Sequence, residues 1–116
     1  MGDRSNAIII DETGEKGIGI YTHWYGSTLP SLIATALNKA KPRWNDSYYA
    51  TRMIFDNLLT QVKAHDEETG WGLYCYTNNG DICEEENETV FVDFSTKKVK
   101  LGNKDFSFND FCRMFK

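Results

Sequence analysis

The residues best able to do chemistry lie near the start of the chain: Gly2-Asp3-Arg4, then Tyr21-Thr22-His23-Trp24-Tyr25-Gly26, then Arg43-Trp44-Asn45-Asp46. Protein cores are built mainly from Leu, Ile, Val and Phe, so polar aromatics and cations at this density point to a recognition surface. His23 is the sharpest of them. On a strand beside Tyr and Arg, an imidazole could serve as a general acid or base, or donate to a phosphate. The structural alternative is a half-buried histidine satisfied by a backbone carbonyl. No Ser or Cys nucleophile and no second histidine is recognisable as a partner for His23, so no catalytic residue is assigned. His65 falls in a polar stretch and is expected to be solvated.

Arg4, Arg43 and Arg52 form the second group. Guanidinium groups hold phosphate or carboxylate in bidentate fashion. If the helices cover the His23 face of the sheet, Arg4 and Arg52 would converge there on a nucleotide-like anion. The alternative is structural pairing with Asp3, Asp46 or Asp56. The candidate binding set is therefore Arg4, Tyr21, His23, Trp24, Tyr25, Arg43, Trp44 and Arg52. No metal site is expected, because His23, His65 and the three cysteines lack the short-spaced pair that zinc uses. Asp3 with Glu12 or Asp46 could hold a hard cation, although such carboxylates more often cap turns and helices. No cofactor is expected either: Gly14, Gly17 and Gly19 sit in a hairpin pattern, not between a strand and a helix as a phosphate loop requires.

Composition narrows the classes. The chain has 116 residues, 41% of them hydrophobic and 14% aromatic, enough for one domain with one core. Its net charge of −4 argues against direct nucleic-acid binding and against an anionic membrane, both of which need a dominant basic field. No stretch approaches the roughly 20 apolar residues of a membrane span. Cys75, Cys83 and Cys112 are odd in number and irregularly spaced, which fits reduced thiols better than a disulfide framework. The N-terminus lacks the basic and apolar regions of a signal peptide, so a cytoplasmic location is expected. Asn87-Glu88-Thr89 matches a glycosylation sequon but has no secretory context.

These side chains need elements to position them. Asn6 to Ile10 and Gly17 to Tyr25 read as a hairpin around the polar stretch Asp11 to Lys16. Period two puts Ile18, Ile20, Thr22 and Trp24 on one face, the expected core side, and Tyr21, His23 and Tyr25 on the other. Ser27 or Thr28 should cap a first helix, whose stripe is Leu29, Leu32, Ile33, Ala36, Leu37 and Ala40, with Pro42 ending it. Asn45 or Asp46 should cap a second, with a stripe of Tyr48, Phe55, Leu58, Leu59 and Val62 and Arg52 on its border. Trp71 to Tyr76 alternates as a strand, and Asn78-Asn79-Gly80 signals a turn. Val90, Val92 and Phe94 mark another strand and Lys97 to Leu101 a third, joined by a tight turn at Ser95-Thr96. The acidic run of Asp81, Glu84, Glu85, Glu86 and Glu88 reads as a solvated loop, with a contact for a basic groove as the alternative. Ser107 should cap a helix striped by Phe108, Phe111, Cys112 and Phe115. The expected order is β-β-α-α-β-β-β-α, a single α+β domain with a mostly antiparallel sheet.

The string Met1-Gly2-Asp3-Arg4-Ser5-Asn6, with Tyr21-Thr22-His23-Trp24, Gly26, Leu29-Pro30, Arg43-Trp44-Asn45-Asp46, Tyr48, Tyr49, Arg52 and Ile54, resembles a family of small uncharacterised bacteriophage and bacterial proteins. That family begins Gly-Asp-Arg-x-Asn and carries Tyr-x-His-Trp. The likeness covers the first half and reaches weakly to Thr69-Gly70-Trp71-Gly72. It implies context rather than activity: a phage or prophage accessory gene. Small acidic proteins of that kind commonly act by binding, which makes a cytoplasmic inhibitor of a host defence system, such as an anti-CRISPR, the leading expectation, with a host protein or complex as partner. A small nucleotide- or anion-binding domain or enzyme using His23 and the arginines is the second reading. A structural or regulatory homodimer is the third.

Overall fold

β-Branched and apolar residues at Ser5–Ile10 and the alternating Lys16–Thr22 pair as antiparallel strands β1 and β2. The computed structural model describes residues 2–83 and 85–115. Helices α1 (Leu29–Lys39) and α2 (Ser47–Val62) follow, then strands β3 (Trp71–Thr77), β4 (Val90–Asp93), β5 (Lys98–Leu101) and β6 (Lys104–Ser107), and helix α3 (Phe108–Phe115). The six strands form one mixed sheet in the order β3-β2-β1-β4-β5-β6, antiparallel throughout except for the parallel β1–β4 pair. The α+β class and the mostly antiparallel sheet match the sequence reading.

The order gains one strand, β6, that the sequence reading missed. Three of its four residues, Lys104, Asp105 and Ser107, are polar and exposed, and only Phe106 turns inward, so no alternation was visible. The sign was the two-residue turn: Gly102-Asn103 joins Leu101 to its partner Lys104, with Gly102 at φ +63.

β1 lies near the centre of the sheet and is buried along its whole length. Ala7 and Ile9 join Ile20, Val90, Val92 and Val99 on the face that carries all three helices, whose buried residues include Ile33, Leu37, Ile54, Leu58, Phe108 and Phe111. The first helix uses the expected stripe. The second is rotated: Ser47, Ala50, Ile54 and Leu58 are buried while Tyr48 is 73% exposed. Small residues at 47 and 50 let the helix approach closely, a preference that the larger aromatics on its other side mask.

Asp46 caps α2, accepting from Tyr49 N–H, and Ser107 Oγ accepts from Asp110 N–H at the start of α3. At the start of α1 the expected cap is replaced. Thr28 occupies the cap position without a side-chain bond to the helix, and Ser27 gives both its N–H and its hydroxyl to Asp3. The tight turn expected at Ser95-Thr96 spans Phe94 to Lys97, with Asp93 accepting from the Ser95 N–H and hydroxyl.

The second sheet face is covered differently. The Tyr74 ring lies across Gly19, where a Cβ would come within 2.2 Å of it. Its hydroxyl donates to Asn6 Oδ1 at 2.7 Å and accepts from Cys83 N–H at 3.3 Å, while Asn6 Nδ2 donates to Cys83 O at 2.9 Å. The segment between β3 and β4, expected to be a free acidic loop, is therefore strapped to the sheet. Glu86 and Asn87 N–H both donate to Arg4 O, and Arg4 N–H donates to Glu86 Oε1. Glu84, part of the same acidic run, lies outside the described residues.

Candidate functional site

The N-terminal segment and the end of β2 form one unit. Asp3 N–H donates to His23 O at 2.7 Å, and Gly26 N–H donates to Asp3 O at 2.7 Å. The Asp3 carboxylate accepts from Ser27 N–H and hydroxyl and from Asn87 Nδ2. Those bonds, the Ser27 hydroxyl foremost, hold its carboxyl below the ordinary 3.8. Gly26 has to be glycine, because a Cβ there would lie 2.6 Å from Asp3 O.

His23 projects from the end of this unit. Its Nδ1 lies 3.1 Å from the Tyr21 hydroxyl and accepts from Arg4 Nε at 3.3 Å. Arg Nε–H can only donate, so Nδ1 is an acceptor and the neutral ring carries its proton on Nε2. Trp24 stands edge-on against the imidazole at 4.9 Å and is 52% exposed. Tyr25 stacks on Trp71, the first residue of β3, at 5.6 Å.

Tyr21, His23, Trp24, Gly70, Trp71 and Gly72 surround an open, mainly apolar concavity of about 420 Å³. The two glycines differ in what they permit. Gly70 has φ +79, and a Cβ there would sit 2.8 Å from both His23 and the Trp24 ring, so its backbone is what lets Trp24 settle. A Cβ at Gly72 would meet nothing within 4 Å, so that position is open floor.

Of the eight expected site residues, Arg4, Tyr21, His23, Trp24 and Tyr25 come together here. Arg43, Trp44 and Arg52 do not. They lie at the N-terminal end of α2, which is anchored by Ser47 N–H to Glu12 Oε1 in the β1–β2 turn. That is the opposite end of β1 and β2 from His23, on the order of 20 Å away at about 3.3 Å per residue. Trp44 is structural: its Nε1–H donates to Leu37 O at 2.9 Å and its ring packs edge-on to Phe108. Arg43 and Arg52 both stack on Tyr49, and Arg52 is exposed and paired with Asp56 at 3.3 Å. Arg4 and Arg52 do not converge as expected, because Arg52 lies on the helix-bearing face at the far end of the sheet, away from His23 and Arg4.

The carboxylates weighed for a hard cation all serve as caps: Asp3 on Ser27, Glu12 on Ser47 and Asp46 on Tyr49. No group of three or more metal-ligating side chains occurs among the described residues. His65 is exposed, within reach of Thr60 and Asp56. All three cysteines are thiols: Cys75 is exposed, Cys83 half-buried and Cys112 buried. Among the described residues no helix is long and apolar enough to cross a membrane.

The sequence reading missed Gly70, Trp71 and Gly72 as site residues. The available signal was the Gly-Trp-Gly string itself, which brackets an aromatic with two positions lacking a side chain. No family model matches the chain, and no curated protein or solved structure matches it.

Proposed function

We propose that this chain is a binding protein that engages a protein partner through the concavity that Tyr21, His23 and Trp24 form over Gly72. The observation that carries this reading is a half-exposed tryptophan beside an open floor: an apolar or aromatic side chain of a partner can enter against Trp24 without displacing anything. His23 has its Nδ1 committed to Arg4 and Tyr21, which leaves Nε2–H as the one ring group it could offer a ligand. The nucleotide-like anion reading loses its geometry, since Arg43 and Arg52 stack on Tyr49 at the other end of the sheet. The wider setting, a cytoplasmic accessory protein that inhibits a host defence component such as a CRISPR effector, follows from the resemblance and belongs to the same proposal.

The test uses two baits beside the unaltered protein in pull-downs from host lysate. Gly72→Val raises the floor from a Cβ that meets nothing within 4 Å, and a β-branched residue suits a strand, so its thermal unfolding should match the parent. Trp24→Ala removes the anchor, at an expected cost of about 2 kcal/mol or more in affinity. Both variants should lose the captured partner while staying folded. If both retain it at parental levels, the concavity is not the binding site.

A further inference from the structure

The two nitrogens of His23 meet different surroundings. Nδ1 takes Arg4 Nε–H at 3.3 Å, and with that nitrogen fixed as an acceptor the Tyr21 hydroxyl at 3.1 Å donates into it as well. Nε2 makes no hydrogen bond to any described residue. Among those residues the buried side-chain nitrogen and oxygen atoms without a partner are Ser47 Oγ and Trp71 Nε1, so Nε2–H keeps its access to solvent.

The chain leaves this N–H uncovered. A Cβ at Gly2 would come within 3.0 Å of Nε2 and 3.3 Å of Cδ2, so any larger residue there would press on the donor. Trp24 stands edge-on to the imidazole, 4.9 Å between ring centres, and is half-exposed. An apolar wall and a single fixed donor thus lie side by side. One residue of a peptide spans them, its side chain against Trp24 and an oxygen of its own backbone toward Nε2.

We propose, resting on the reading of this concavity as a protein-binding site, that its ligand is a peptide segment whose apolar or aromatic side chain enters against Trp24 while an oxygen of the same residue accepts from His23 Nε2–H. Arg4 and Tyr21 are positioning residues, because their bonds to Nδ1 hold the proton on Nε2. The oxygen belongs to a carbonyl where the residue is internal to its chain and to a carboxylate where it is C-terminal. The donor supplies specificity that the apolar wall lacks. A side chain entering without an acceptor would cover Nε2–H and leave it unpaired, and a donor would meet it head-on.

Two probes separate the two sources of the oxygen: N-acetylphenylalanine N-methylamide carries the internal carbonyl and N-acetylphenylalanine the terminal carboxylate. The 15N-labelled protein is titrated with each to about 20 mM, a fragment-affinity range, at about pH 8, where imidazoles are ordinarily neutral. The signals followed are the Trp24 indole and the His23 ring nitrogens. The free protein should show a pyridine-type Nδ1 and a pyrrole-type Nε2, and at least one probe should shift both Trp24 and Nε2 saturably. His23→Leu should weaken that probe by about threefold or more, the scale of one hydrogen bond, whereas His23→Gln, whose amide offers an N–H in place of Nε2–H, should retain it. Trp24→Ala tests the underlying reading: if it binds the probe as the parent does, the concavity is not the site. If Trp24→Ala loses the probe while a folded His23→Leu holds it at parental strength, or His23→Gln binds no better than His23→Leu, the hydrogen bond to Nε2 is wrong and the concavity stands. An Nδ1–H tautomer, a Trp24 shift with Nε2 unmoved, or a parent that binds neither probe overturns the proposal with no variant needed.

Discussion

Tyr74→Phe probes the bridge that holds the acidic strap to the second sheet face. The hydroxyl is bonded on both sides, to the side chain of the fully buried Asn6 and to the backbone of Cys83. Phenylalanine keeps the ring over Gly19 and removes only the oxygen. It leaves Cys83 N–H without that acceptor and Asn6 Oδ1 without that donor, a loss of about 2 kcal/mol for two linked bonds at a partly buried site. In a domain of this size that lowers the unfolding midpoint by about 8 °C.

The same oxygen predicts a pH signature. Burial, partly offset by the Cys83 N–H, pushes the Tyr74 phenol up from 10.0 to about 12. Folding then favours the protonated form. That stability is fully present below pH 10.0 and is lost as pH rises through about 12, because the unfolded chain gives up the proton first. Screening around a half-buried ring reduces the effect to the order of 1 kcal/mol. Urea unfolding of parent and Tyr74→Phe protein between pH 8 and 12 reads both quantities, and subtracting the two curves cancels the other tyrosines. A variant that melts within about 1 °C of the parent and shows the same alkaline slope would refute the bridge as the tie between strap and sheet.

Four further outcomes are expected. Trp44→Phe should cost about 1 kcal/mol of stability through the lost Leu37 bond and leave partner capture unchanged; a binding loss in a fully folded variant would return Trp44 to the interface. Asp3→Asn should remove an acid-side component of stability, which for the parent is present above pH 3.8 and lost as pH falls through the lowered value; identical acid unfolding of the two proteins would contradict the Ser27 cap. Alkylation without reductant should add three labels to the unfolded chain, with Cys75 labelled fastest in the folded one, and a single label would reveal an intramolecular disulfide. Neutralising Glu85 and Glu86 should change partner affinity less than Trp24→Ala does, with Glu84, outside the described residues, as an optional third position. The opposite order, with Trp24→Ala still folded, would favour mimicry of nucleic acid by the acidic run.

What was legible in the sequence follows from how local the cause was. The α1 stripe, the Asp46 and Ser107 caps and the Ile18/Ile20 core face depend on neighbours within one turn or one strand, and each was readable. The rotation of α2 was not, because close packing at Ser47 and Ala50 is decided by the sheet beneath and not by the helix. For the site, sequence proximity misled. Arg43 and Trp44 follow His23 by about one helix length, and α1 carries the chain from one end of the sheet to the other before they appear. Gly70 to Gly72 is remote in sequence but adjacent through the β2–β3 register, where Tyr21 faces Gly72.

The concavity and the β3 edge draw on the same strand in opposite phase. Gly72, Tyr74 and Tyr76 form the hydrogen-bonded pairs with β2 and line the second face, while Trp71, Leu73, Cys75 and Thr77 turn their backbone outward and their side chains toward the helices. Period two thus gives a seven-residue segment two faces of different composition. On one face a long charged side chain would crowd the floor at Gly72, and on the other it would cross the apolar groove that Leu73 and Cys75 line beside Phe55 of α2. Shifting the register of β3 by one residue would exchange its two faces and take the open floor at Gly72 away from Trp24.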